Sequence, residues 1–224
     1  MKKLLLLVGI IFVLQGCITM NGGEDETMNK QLFEAVEAKD LDAVRGLLKE
    51  SVDINAQDEQ GRTAIMIATY ANDADMVKLL VDAGANVDIQ DDMLNNPFLY
   101  AGAEGYMDIL KLLIAAGADP TITNRYGGVA IIPASEHGYV EIVEELLTNT
   151  KTDVNHINNL GWTALLEAII LNDGSEKQQQ TIRVLIEHGA DVNIADKDGV
   201  TPLAHAREKG FKEIEAILLE AGAE

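Results

Sequence analysis

Apolar residues return along this chain in short helical stretches, separated by polar turns that carry glycine. Met76, Leu79, Leu80 and Ala83 fall at helical spacing, which predicts an amphipathic helix with one face turned inward. Ile109, Leu112, Leu113 and Ala116 repeat the arrangement, each a constant step beyond its counterpart. Val184 and Leu185, then Ile214, Ile217 and Leu218, do so again toward the C-terminus. Ahead of the first of these helices, Ile65, Ala68 and Thr69 share one face of a shorter helix, with Thr63 placed as its N-cap. Asn72-Asp73 parts the two. Gly84-Ala85 recurs as Gly117-Ala118 at that same step, and Gly189-Ala190 recurs as Gly222-Ala223 likewise. Gly84 stands where a helix needs a left-handed C-terminal cap. A 33-residue period of this kind marks a solenoid, because neither helix of a unit buries its apolar face alone and neighbours must stack. Such a stack offers a long binding surface rather than a single cleft.

The period is interrupted twice. Gly61 to Gly127 spans two full periods, but the step from Gly127 to Gly161 is one position too long and that from Gly161 to Gly199 is five too long. The single extra residue falls near Thr150-Lys151-Thr152, where the Gly-Ala pair is missing. The larger insertion falls within 172–180, between the two helices of the fifth unit. It reads either as a tolerated lengthening of a surface loop or as an added contact element at one rim.

The turn sequences resemble the ankyrin repeat. Gly199, Thr201, Pro202 and Leu203 are similar to that family's opening Gly-x-Thr-Pro-Leu-His, with Ala204 in the histidine position. Gly61-Arg62-Thr63-Ala64-Ile65 and Gly161-Trp162-Thr163-Ala164-Leu165 keep part of it. The third unit departs, with Leu94-Asn95-Asn96-Pro97-Phe98; so does the fourth, with Gly127-Gly128-Val129-Ala130-Ile131 and Pro133 inside its first helix. The resemblance implies an all-α ankyrin-repeat solenoid of helix-turn-helix units with projecting hairpin loops. Six units fit residues 28–224: 28–57, 58–90, 91–123, 124–157, 158–195 and 196–224. The first and last act as caps.

The N-terminal residues stand apart. Lys2-Lys3 precedes an apolar run from Leu4 to Leu14 that is too short to span a bilayer and has the form of a secretory signal. It leads into Leu14-Gln15-Gly16-Cys17, which resembles a bacterial lipoprotein signal: 1–16 a cleaved leader, Cys17 the lipidated residue. Residues 17–27, with two glycines and three acids, read as a lipidated flexible tether. The expected location is the bacterial cell envelope, lipid-anchored on the extracytoplasmic side of a membrane. Ile18 after the cysteine fits outer-membrane sorting if the cell has two membranes.

Composition narrows the partners. Aromatic residues make up 4% of a chain that is 47% hydrophobic, so Leu, Ile, Val and Ala must build the core. A formal charge of −20 excludes nucleic acid as a partner, because phosphate repels such a surface. The acidity reads either as a device for solubility or as a preference for a partner protein with a basic surface.

Catalytic signals are weak. His137, His156, His188 and His205 share no ligand spacing, Cys17 is the one thiol, and no nucleophile or phosphate-loop motif occurs. Ser135-Glu136-His137 point in different directions on one helix. Asp91-Asp92 and Glu144-Glu145 read as solvated faces, and His188 as a residue suited to a helix C-terminus. We expect no enzyme, metal or cofactor, and a monomer. In the ankyrin family partners meet the hairpin tips and the exposed ends of the first helices. Carried over residue by residue, that resemblance selects Tyr70, Met93, Arg125, Tyr126, Leu160 and Trp162 as partner-binding positions. Three functions fit: a membrane-anchored interaction module, an inhibitor or immunity-like protein masking a basic toxin or enzyme, and a structural envelope tether.

Overall fold

The computed structural model describes residues 22–50 and 52–224. The leader 1–16 and Cys17 lie outside the described residues. Within them the chain forms twelve helices and no strand beyond an isolated Gln57–Thr63 bridge. They run as six antiparallel pairs: α1 Gly22–Glu37 with α2 Leu41–Leu47, α3 Ala64–Tyr70 with α4 Ala74–Asp82, and α5 Pro97–Glu104 with α6 Met107–Ala115. Then come α7 Ile131–Glu136 with α8 Val140–Asn149, α9 Ala164–Ile170 with α10 Glu176–Glu187, and α11 Pro202–Lys209 with α12 Lys212–Glu220. Odd-numbered helices stack into one layer and even-numbered helices into another. Each pair answers to one of the six expected units.

Local chemistry explains the boundaries. The Thr63 hydroxyl accepts the Met66 N–H at 3.3 Å. Asn96, Thr163 and Thr201 cap α5, α9 and α11 in the same way. Each thereby satisfies a helix-end donor that would otherwise lack a partner. Gly84 adopts φ +89°, the left-handed geometry its position demands. At the end of α8 that residue is missing, and Thr150 leaves in an extended conformation, its hydroxyl donating to Leu146 O at 2.6 Å.

The fourth unit has neither a side-chain cap nor a full-length first helix: α7 has 6 residues. Ile132 N–H bonds Val129 O at 3.0 Å, a carbonyl that Pro133 has no N–H to reach. Pro133 lies in the first turn, where a missing donor costs least.

One core runs through the stack, with Leu32, Ile65, Met76, Leu80, Phe98, Ile109, Leu113, Leu146 and Leu165 among its fully buried side chains. Two expectations at this level need correction. Ala83 and Ala116 are exposed C-caps; Val77 and Leu110 take the burial instead. The tether was expected to run to residue 27, yet α1 begins at Gly22. Acidic residues at the head of a helix are favoured by its macrodipole, so a run that reads as a polar linker can equally start a helix.

The insertion in the fifth unit does not project. Its extra residues divide between the loop after α9 and α10, which has 12 residues where α4 and α6 have 9. Gln178, buried in α10, donates to Glu136 O at 3.0 Å and to Asn172 Oδ1 at 2.7 Å. Asn172 donates to the same Glu136 carbonyl at 2.9 Å. The inserted segment is therefore fastened to the end of α7.

Candidate interaction surface

Each hairpin ahead of an odd-numbered helix, from α3 to α11, is pinned by one side-chain oxygen. Asp58, Asp91, Asn124, Asn158 and Asp196 accept the backbone N–H groups two and four residues ahead, at 2.8–3.0 Å. Short Asx side chains suit this role because they bond their own backbone. The second oxygen or amide nitrogen of four of these anchors then takes a partner specific to its unit. Arg62 Nε donates to Asp58 Oδ2 at 2.7 Å, and the Tyr70 hydroxyl to Asp91 Oδ2 at 2.5 Å. Asn158 Nδ2 donates to Glu167 Oε1 at 2.8 Å, and His205 Nε2 to Asp196 Oδ2 at 2.7 Å.

These pairs set the local electrostatics. Burial works to raise the Asp58 pKa, but the Arg62 hydrogen bonds outweigh it and the group lies below its ordinary range. Asp196 is held low chiefly by the Val200 N–H, with His205 adding to it. Tyr70 is pushed up to about 12 by burial and then by its bond to Asp91. Glu167 is pushed up to about 7 by burial and then by the charge of Glu136, against the Asn158 bond that favours its ionised form.

Held in this way, the tips carry exposed apolar side chains in a row: Met93 (48% exposed), Leu94 (47%), Tyr126 (52%) and Leu160 (48%). The row is continuous. The Arg125 guanidinium lies 4.9 Å from the Tyr126 ring centroid, and its Nη1 is 3.7 Å from Met93 Sδ. Asn159 N–H bonds Tyr126 O at 2.8 Å, which sets Leu160 beside Tyr126. The structure thus brings together Met93, Arg125, Tyr126 and Leu160 of the residues selected from sequence. It places the other two differently. Trp162 is half-buried at the foot of its hairpin, its backbone N–H bonded to Asn158 Oδ1. Tyr70 is half-buried, tied to Asp91 and edge-on to Tyr100 at 4.4 Å.

Asp91 also corrects the sequence reading. It is 5% exposed and anchors a hairpin rather than facing solvent. Its Asx partners at the same register in four other units were the signal for that role. Leu94 adds a residue the sequence reading did not select. It takes φ +58° in the hairpin position where Gly61, Gly127, Gly161 and Gly199 take φ between 70° and 85°. A side chain there costs about 1–2 kcal/mol.

Other polar groups do not converge. Ser135 is fully buried while His137 is exposed and stacked on Tyr139 at 5.4 Å. His156 Nε2 lies 2.7 Å from Gly127 O, and His188 caps α10, 3.4 Å from Glu144. Among the described residues no cluster of His, Cys, Asp and Glu could hold a metal ion, and no helix is long and apolar enough to cross a membrane.

Comparison with known proteins agrees with this architecture. Residues 32–124 and 129–224 match the family model for ankyrin repeats. The chain is similar to an ankyrin repeat protein of Escherichia coli (strain K12), YahD, at 55% identity over 80 residues; the match spans 36% of this chain and 40% of that protein. Its fold is similar to the crystal structure of an ankyrin repeat domain from Acinetobacter baumannii AYE: TM-score 0.84 at 49% identity, over 86% of this chain and 98% of that one. A chain in the structure of a predatory endopeptidase from Bdellovibrio bacteriovorus in complex with an immunity protein is similar at 30% identity. Its TM-score is 0.71, over 85% of this chain and 97% of that one.

Proposed function

This chain belongs to the ankyrin-repeat family, and on that premise we propose that it holds a partner protein against its hairpin tips while a lipid on Cys17 anchors it outside the cytoplasm. The observation that carries the reading is the row Met93, Leu94, Arg125, Tyr126 and Leu160. The stack does not need these side chains, since the anchors below them set the hairpins. Leu94 keeps a strained backbone where glycine would relieve it, and such strain concentrates at functional positions. Tyr and Arg are favoured anchors at interfaces, and here they already pack on each other. The lipoprotein-like N-terminus supports the anchoring.

The test has two arms on the full chain in its native envelope. Affinity capture with wild type is compared with a Tyr126→Ala/Leu160→Ala variant of unchanged circular dichroism. The variant is expected to lose about tenfold or more of its partner; undiminished capture would sink the tip surface. Cys17→Ser is expected to move the protein from the membrane fraction to the soluble one, and continued membrane residence would exclude the anchor.

A second reading is an inhibitor that masks a basic enzyme. The −20 charge and the likeness to a chain of the endopeptidase–immunity complex favour it. Capture that collapses between low and high salt would support this role, because screening weakens charge-driven association.

A further inference from the structure

Behind the hairpins, one residue per unit ties neighbouring units together. Asn55 Oδ1 accepts the Asn86 N–H at 2.8 Å, and Asp88 Oδ1 the Asp119 N–H at 2.9 Å. Asn155 Oδ1 accepts Asp191 N–H at 2.8 Å, and Asn193 Oδ1 accepts Glu224 N–H at 3.0 Å. Between the third and fourth units the same position holds Thr121, and its hydroxyl turns to Asp119 Oδ1 at 2.7 Å. At that junction a groove of about 780 Å³ opens between the outer helices α6 and α8. A smaller hollow of about 200 Å³, lined by Ile114, Pro120 and Thr150, lies at the C-terminal ends of the same helices. The rest of the junction stays closed: Arg125 Nη1 of the fourth unit lies 3.7 Å from Met93 Sδ of the third, and the core continues through α5 and α7. The outer layer alone is split.

We infer that the groove between α6 and α8 is a second docking site, on the outer-helix layer rather than the hairpin tips, and that it receives a basic amphipathic helix of a partner protein. Its floor is apolar, formed by Met107, Tyr139, Val140 and Ile142. Its rim carries Glu141, Glu144 and Glu145. Lys111, the cation that lines the groove, lies 3.8 Å from Glu145 and is offset by it; Glu141 and Glu144 are exposed, with His188 at the end of α10 3.4 Å from Glu144. Lys177 is 4.9 Å from the Tyr139 ring centroid and outside the lining. An apolar trough edged by carboxylates complements a helix whose apolar stripe is flanked by Lys or Arg, the helix-in-groove mode of recognition. The walls α6 and α8, of 9 and 10 residues, are each about 14 Å long. They match two to three turns of a guest helix. The site does not depend on the tip surface.

The test uses the full chain, ¹⁵N-labelled in nonionic detergent at physiological salt. The probe is a Leu/Lys amphipathic helical peptide, with a Leu/Glu peptide of the same pattern as control. Amide shifts are expected to cluster on 107–115 and 140–149 with the basic peptide and to be absent with the acidic one. Glu141→Lys with Glu144→Lys, both at exposed positions, is expected to weaken binding about tenfold or more. Tyr126→Ala with Leu160→Ala is expected to leave it unchanged. Shifts spread over the whole acidic surface, shifts confined to the hairpin tips, or no binding at all would each overturn the inference.

Discussion

At the scale of single residues, the hairpin anchors show how one position serves structure while its neighbour is free for another task. Asp91 is buried and bonded to Tyr70, whereas Met93 and Leu94, two and three residues on, are solvent-exposed. Leu94→Gly removes a side chain from a left-handed backbone but loosens the unfolded chain; the net gain is expected to be about 0.5–1 kcal/mol in urea unfolding. The same variant is expected to lower partner capture. Glu167 gives a pH signature. Its pKa of about 7 in the folded protein lies above the ordinary 4.5, so the folded state keeps a proton that the unfolded state releases. Stability therefore falls as pH rises from about 4.5 to about 7 and levels off above. Glu167→Gln is expected to abolish that slope and to stabilise the fold at pH 8 by up to roughly 3 kcal/mol, read from urea midpoints across pH. An unchanged slope would mean that Glu167 is ionised at neutral pH in spite of its burial.

At the scale of elements, the regular and irregular helices have separate causes. A threonine or aspartate cap and a left-handed glycine are local devices, and the expected boundaries of α3 and α4 follow from Thr63, Asp73 and Gly84. The shortened α7 follows as locally, from Pro133 and a missing cap. The insertion is different. Its alternatives could not be separated from spacing, because Gln178 and Asn172 find their partner, Glu136 O, 42 and 36 residues back. Thr121 is the corresponding case between units. Thr121→Asn supplies the oxygen found at this position in neighbouring units and is expected to accept the Asp153 N–H, adding about 0.5–1 kcal/mol. It is also expected to slow hydrogen exchange at Asp153. Unchanged exchange there would show that the rung cannot form.

At the scale of the whole molecule, charge and stacking set the behaviour. A chain with a formal charge of −20 repels itself when folded. Raising the salt from low to about 0.5 M is expected to lift the thermal midpoint by a few degrees through screening, and a midpoint insensitive to salt would contradict that. Repeat number, solenoid architecture and acidic character were all legible in the amino-acid sequence. Helix caps, periodic apolar faces and net charge depend on residues close in the chain or on simple counts, and so they survive without coordinates. Which exposed positions are free was not legible. Tyr70 and Met93 look alike as tip residues, but one is held by a carboxylate 21 residues away and the other faces solvent. The continuous tip row and the split between α6 and α8 were decided by stacking alone, because both are made of side chains about one repeat apart that meet only when neighbouring units pack.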